Sequence, residues 1–118
     1  MHIDEPVVLI RLTQSFRPGM SEQELYDATR GSWVAAPSRH PAVYAFVVNQ
    51  GIVHEVYSIT RWHPAGSTEY PTRPYMGPSP GRWEFTGSVA DQSIRAKYVG
   101  KSVAEHLGGQ NPIRWVNC

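Results

Sequence analysis

The sequence has little cysteine and little net charge, and it has no long hydrophobic run. Its one cysteine, Cys118, is the last residue, which excludes an internal disulfide and a multi-cysteine metal site. A formal net charge of +1 argues against the broad cationic surface that drives tight non-specific binding of nucleic acids. No apolar run approaches the ~18 residues of a membrane span, and no signal-peptide pattern opens the chain, so we expect a cytoplasmic protein without a membrane partner.

Length and composition indicate one globular domain that covers residues 1–118. A chain of 118 residues can bury a hydrophobic core without disulfides or metals. Ten prolines and ten glycines suggest short strands joined by long ordered loops. None of the five histidines is paired at the spacing of helical metal ligands, so neither a metal ion nor another cofactor is predicted.

The stretch from residue 42 to 62 is the clearest structural signal. Two runs rich in β-branched and aromatic residues flank a short polar loop that ends at Gly51, a pattern typical of an antiparallel hairpin. Gly51 is expected to adopt the left-handed backbone that a tight reversal needs. The first arm is apolar on both faces, which is typical of a central strand. Its two faces consist of Val43, Ala45 and Val47, and of Tyr44, Phe46 and Val48.

Further strands are predicted at 7–13, 81–90 and 113–116. In the second of these, alternation places Trp83, Phe85 and Val89 against the core, whereas Glu84 faces outward or sideways. Gly87 falls on the apolar face, where a bulge or a close backbone approach would explain it. The segment 32–34 is either a short strand or an ordered loop.

Two helices are predicted. Ser21 to Glu24 form a capping box that starts a helix of about two to three turns, ending near Arg30, where Gly31 has the usual C-terminal role. A second helix is predicted from Ser102 to Leu107. The proline-rich region 63–80 is a long loop of the kind that is usually functional or mobile.

The order of these elements predicts an α+β fold. Consecutive strands mostly pair with their neighbours, and helices must cover an open face or plug the mouth of a barrel. We therefore expect a small, strongly curved mixed sheet, or pseudo-barrel, of about 5–6 strands with two flanking helices.

Gly100-Lys101-Ser102 is similar to the end of a phosphate-binding loop. The full signature needs a glycine at position 95, where this chain has Arg95, so a nucleoside triphosphate site is not expected. An anion contact made by Lys101 and the free amides of a helix N-terminus fits better, and an ordinary N-cap at Ser102 fits equally well.

The tryptophans suggest how a ligand could bind. Trp33 and Trp62 each lie at the end of an element beside arginine, where aromatic side chains commonly stack on a base; core packing is the alternative for both. A cleft between the first helix, the end of the hairpin and the 63–80 loop would hold the base. The other predicted contacts are phosphate contacts from Arg30, Arg39, Arg61, Lys101 and Arg114, with Ser102 beside them, and base-edge bonds from Ser32 or Asn111.

The chain also resembles the PUA-like superfamily, which includes the ASCH, EVE and YTH domains. The resemblance lies in the order of elements, in Gly31-Ser32-Trp33 after the first helix, in the hairpin, and in the sequence Gly-Arg-Trp-Glu-Phe-Thr-Gly at 81–87. It implies a curved β-barrel with two flanking helices and a cleft that reads RNA or a modified base in DNA. A YTH-type cage has three aromatic residues; Trp33 and Trp62 match two of them, and the third is unassigned.

A second resemblance spans most of the chain. The segments 17–21, 98–103 and 111–118 resemble bacterial proteins of unknown function, some of which carry a GIY-YIG nuclease domain in the same chain. This resemblance implies a nuclease as a partner domain.

Two other functions remain open. The ASCH resemblance implies a small hydrolase of N-acylated pyrimidine nucleosides with Lys101 as base or nucleophile partner. Its catalytic set would combine Lys101 and Tyr98 with Glu55 or Glu84, provided that the fold brings them together. Exposed tryptophans and the proline-rich loop would instead suit a protein-interaction domain.

Overall fold

The computed structural model describes residues 1–75 and 77–118 and contains one mixed β-sheet flanked by two α-helices. The strands are β1 (Val7–Arg11), β2 (Trp33–Val34), β3 (Tyr44–Asn49), β4 (Ile52–Pro64), β5 (Arg82–Val89) and β6 (Ile113–Val116). The helices are α1 (Glu22–Arg30) and α2 (Gln92–Tyr98), and 3₁₀ turns cover Pro37–Arg39 and Ala104–His106. The strand order is β2-β5-β4-β3-β1-β6, in which β1 and β3 are parallel and the other neighbours antiparallel.

The sheet curves so strongly that it nearly closes. Strands β3 and β1 lie between β4 and β6, yet the rings of Trp62 on β4 and Trp115 on β6 have centroids 6.0 Å apart. In a flat sheet, strands three positions apart would be separated by about 14 Å. A register shift between Ile59 and Arg61 adds a bend in β4. The predicted α+β pseudo-barrel with two helices is confirmed.

Both faces of the central strands are buried. One face packs with α1 inside the curve of the sheet and includes Val8, Ile10, Ala45 and Val47. The other face packs with α2 and includes Val7, Leu9, Phe46 and Val48. The predicted two-sided burial of the first hairpin arm is therefore confirmed, except for Val43, which precedes β3 and is largely exposed.

Local signals in the hairpin and the first helix form as expected. Gly51 has a φ of 77° in the turn between β3 and β4. At the start of α1, the Glu24 amide donates to the Ser21 hydroxyl at 3.1 Å, and the Ser21 amide donates to the Glu24 carboxylate at 3.0 Å. The predicted capping box is confirmed.

The second helix is not where the sequence places it. The segment 102–107 contains only a 3₁₀ turn, because its backbone is used by the hairpin: the Val103 amide donates to the Gly51 carbonyl at 2.8 Å, and Ser102 bridges Ile52. The helix is α2, which precedes this segment and buries Tyr98. Neither α1 nor α2 is long and apolar enough to cross a membrane, and the described residues contain no other helix that is.

The prediction for β5 is wrong at Glu84. Its side chain is 1 % exposed, although alternation along the strand predicts that it faces outward or sideways. The reason is that the loop after β4 folds back across this part of β5 and donates hydrogen bonds to the Glu84 carboxylate. Phe85 is buried in the core as expected, whereas Val89, which the same alternation places against the core, is exposed at the end of β5.

Candidate functional site

A cavity of about 600 Å³ lies between the C-terminal end of α1 and the loop that joins β4 to β5. Most of its wall comes from this loop, within residues 65–75 and 77–79, with Gly31, Ser32 and Glu84 on the side of the scaffold. This volume falls in the range of about 300–1,000 Å³ that is typical of small-molecule sites. The cavity is thus bounded by two of the elements named for the predicted cleft, α1 and the long loop.

The Glu84 carboxylate anchors the loop. It accepts hydrogen bonds from the amides of Gly66 and Thr68 at 3.0 and 2.8 Å, from the Tyr70 hydroxyl at 3.0 Å, and from the Thr68 hydroxyl. Burial by itself would raise the pKa of Glu84, but the bonds from Thr68, Gly66 and Tyr70 outweigh it and hold the pKa below its usual value. Burial and the nearby Glu84 charge raise the pKa of Tyr70, so the phenol keeps the proton that it donates.

The Arg30 guanidinium lies under the same loop and is 3 % exposed. It donates to the Thr68 hydroxyl at 2.6 Å and to the Glu69 carbonyl, and its centre is 3.8 Å from the centroid of the Tyr70 ring. A predicted phosphate contact from Arg30 is therefore not in reach, because the protein itself surrounds the guanidinium. Arg30 instead fixes the loop by a cation–π contact and hydrogen bonds.

Asp27 provides a second anchor for the loop, one turn earlier on α1. Its buried carboxylate accepts from the amide and the hydroxyl of Thr72 at 2.9 and 2.6 Å and from the Gln23 side chain at 2.9 Å. Burial would raise the pKa of Asp27, but the bonds from Thr72 and Gln23 lower it overall. Two ionised carboxylates from the scaffold thus hold the wall of the cavity.

Gly31 ends α1 in an extended conformation, with φ 179°, so the predicted left-handed role is wrong. The position has no space for a side chain: a Cβ would collide with the Tyr70 hydroxyl and come within 2.8 Å of the Glu84 Cβ. Tertiary packing, rather than a helix cap, accounts for this glycine.

Two residues of the cavity wall, Ser32 and Tyr75, have features that a ligand could use. The Ser32 hydroxyl oxygen is buried in the wall and has no hydrogen-bond partner among the described residues. Tyr75 also belongs to the wall and is 70 % exposed, and its hydroxyl donates to the Gly66 carbonyl at 3.3 Å. The cavity wall therefore includes an exposed tyrosine ring and a serine whose buried hydroxyl has no hydrogen-bond partner among the described residues.

The predicted stacking residues, Trp33 and Trp62, lie outside the wall of this cavity. The Trp33 indole N–H donates to the Thr29 carbonyl at 2.7 Å. Trp62 packs edge-on against Phe85, with ring centroids 5.3 Å apart. Both indoles are partly buried and pack against the core inside the curved sheet, and core packing is the alternative that the sequence left open.

The other predicted contact residues are exposed and lie on separate elements. They are Arg39 on a 3₁₀ turn, Arg61 on β4, Lys101 and Ser102 after α2, and Asn111 and Arg114 at β6. None of these belongs to the cavity wall. Of the ten predicted residues, Ser32 lies in the wall and Arg30 lies beneath it. The predicted anion contact at Lys101 depended on a helix that begins at Ser102, and the structure has only a 3₁₀ turn in this segment.

The proposed hydrolytic set is not assembled. The Tyr98 hydroxyl donates to Glu5, Glu55 pairs with Arg95 at 2.7 Å, and Glu84 is bound by the loop. No group of three histidine, cysteine or acidic residues that could hold a metal ion occurs within 1–75 and 77–118.

Sequence reasoning missed Asp27, Tyr70 and Tyr75 as residues of the site, and it considered Glu84 only as a catalytic candidate. The available signal was the loop itself, whose length and tyrosines set it apart from an ordinary connection. Comparisons of the chain with models of protein families, with curated proteins and with solved structures find no match.

Proposed function

We propose that this chain is a PUA-like, nucleic-acid-binding module and that its cavity accepts a single base, including a modified one, from RNA or DNA. The curved mixed sheet with two helices supports the resemblance on which the first part of the proposal rests. One observation carries the second part: a cavity of nucleoside size combines exposed tyrosine surface with a buried hydroxyl that has no partner. A cytoplasmic location belongs to the same proposal.

Tyr75 is the residue that we expect to stack on the base. Stacking of one base on an aromatic side chain is worth about 1–3 kcal/mol, and it needs an open ring face. The Tyr75 ring is largely exposed, whereas Trp33 and Trp62 pack in the core and Arg30 covers one face of Tyr70. A tyrosine of the loop therefore replaces the indoles in the stacking role.

Ser32 is the residue that we expect to read the edge of the base. A buried polar group without a hydrogen bond costs about 1–3 kcal/mol, and a ligand that supplies the partner recovers this cost. The Ser32 hydroxyl is such a group, and it lies in the wall.

A single base in one pocket binds weakly, so a second binding domain would strengthen the interaction. The GIY-YIG nuclease domain implied by the resemblance is a partner that would act in this way. A catalytic function is not part of the proposal, because Lys101 lies outside the cavity wall.

The proposal is tested by fluorescence anisotropy with labelled single-stranded RNA and DNA, with and without modified bases, and with duplex controls. We expect single strands to bind and Tyr75→Ala to weaken binding by about tenfold, the equivalent of ~1.4 kcal/mol of lost stacking. Tyr75→Phe is the matched control, because it keeps the ring and should keep the affinity. If no oligonucleotide binds, or if Tyr75→Ala binds as tightly as the natural chain, the base-binding proposal is wrong.

A further inference from the structure

Two arginine side chains from different elements bind consecutive backbone carbonyls in the wall of the cavity. Arg73, from the loop, donates to the Gly31 carbonyl at 3.4 Å. Arg82, the first residue of β5, donates to the Ser32 carbonyl at 3.3 Å. Gly31 and Ser32 are consecutive and both line the cavity, so each guanidinium group is held next to the wall; Arg73 belongs to the wall itself, and Arg82 binds it from β5.

Neither guanidinium has an acidic partner within 4.0 Å among the described residues. This distinguishes them from Arg17 and Arg95, each of which pairs with a glutamate. Arg73 and Arg82 are both exposed, and each uses Nη1 for a backbone carbonyl, which leaves other N–H donors of each planar group for a ligand.

We propose that Arg73 and Arg82 together bind a phosphate group of the nucleotide whose base enters the cavity. The inference rests on the proposed function, because it assigns the phosphate that is attached to the bound base. Guanidinium groups suit this task, since their forked donors match the oxygens of a phosphate and their charge does not titrate. Both arginines differ from the five cationic residues that the sequence suggested for phosphate contacts.

The carboxylate of Glu69 is the opposing charge at this rim. Glu69 lies in the cavity wall and is exposed, whereas the carboxylate of Glu84 is already enclosed by four donors. Two exposed arginines and one exposed glutamate leave a net positive rim, so a phosphate should be attracted there. Removing the Glu69 charge is expected to increase that attraction.

Isothermal titration calorimetry can separate the phosphate from the base. The probes are the four common ribonucleosides and their 5′-monophosphates, together with a single-stranded oligonucleotide. For the best-bound base, we expect the monophosphate to bind about tenfold more tightly than the nucleoside, a gain that the Arg73→Gln/Arg82→Gln double variant loses. Arg61→Gln is the matched control, because Arg61 is an exposed arginine of β4 without a hydrogen bond to Gly31 or Ser32, and it should keep the gain. Glu69→Gln should increase the gain.

The oligonucleotide distinguishes a phosphodiester from a terminal phosphate. If the pair binds the strand backbone, the slope of log K against log salt concentration should decrease by about 0.7 for each arginine removed. Equal affinity for nucleoside and monophosphate, together with an unchanged salt slope in the double variant, would overturn the phosphate site and leave base binding intact. Binding of none of these probes would instead overturn the proposed function, and this inference with it.

Discussion

Replacement of Glu84 by glutamine is the sharpest test of how the cavity is held. One carboxylate oxygen accepts from the Gly66 amide and the Tyr70 hydroxyl, and the other accepts from the amide and the hydroxyl of Thr68. Glutamine keeps one of these oxygens and puts an NH₂ group in place of the other. The hydroxyl on that side can rotate and accept a hydrogen bond, but the backbone amide cannot.

Glu84→Gln therefore leaves one backbone N–H without an acceptor, whichever way the amide is oriented. Such an orphaned donor costs about 1–3 kcal/mol, and the loss of charge assistance in the remaining bonds adds about 1 kcal/mol. We expect the free energy of unfolding to fall by about 2–4 kcal/mol, measured by urea unfolding. For a domain of this size, the melting temperature should fall by about 8–16 °C.

Hydrogen exchange locates the damage caused by Glu84→Gln. The amides of Gly66 and Thr68 should exchange faster than in the natural chain, because the loop can detach before the whole domain unfolds. Glu55→Gln is the matched control: it removes the charge of another glutamate on a strand, one that pairs with the half-buried Arg95 rather than with loop amides, so it should cost less. A loss below about 0.5 kcal/mol in Glu84→Gln, with unchanged exchange of both amides, would refute the reasoning.

Other predictions concern pH and single positions. The pKa of Glu84 is lower in the folded state than its usual value of 4.5. Its contribution to the free energy of unfolding is therefore present above about pH 4.5 and is lost as the pH falls through the lowered pKa. Glu84→Gln should flatten this part of the curve of stability against pH. Gly31→Ala should cost about 1–3 kcal/mol in urea unfolding, because its Cβ collides with Tyr70. Ser21→Ala should cost about 1 kcal/mol through loss of the helix cap, with a melting temperature lower by about 4 °C. Gly87→Ala should lower the urea midpoint, since its Cβ would strike the Ser58 carbonyl of β4; an unchanged midpoint would contradict the close strand approach.

The position of Gly87 in the strand pattern is enough to predict a close approach of another backbone. Glycine on the apolar face of an otherwise regular strand has no packing role of its own, so a bulge or a neighbouring backbone is the expected reason. The structure has both: β4 shifts register opposite this position, and the Ser58 carbonyl occupies the place of a side chain. The sequence could not indicate which strand would approach.

Gly31 shows the limit of the same kind of reasoning. A glycine after a helix is usually a left-handed cap, and nothing in the neighbouring residues contradicts that reading. The atoms that exclude a side chain belong to Tyr70 and Glu84, which are far away in the sequence. Only the folded loop brings them to the end of α1.

The sequence by itself determined the elements whose causes are local. The hairpin around Gly51, the capping box at Ser21, the two-sided burial of β3 and the resulting curved sheet all follow from side-chain periodicity and from hydrogen bonds between near neighbours. Tertiary structure alone decided the burial of Glu84 and the position of the cavity. The physical reason is that the groups which donate hydrogen bonds to the Glu84 carboxylate include backbone amides of a distant loop. Every residue except proline has such an amide, so the sequence does not indicate which amides will bind the carboxylate.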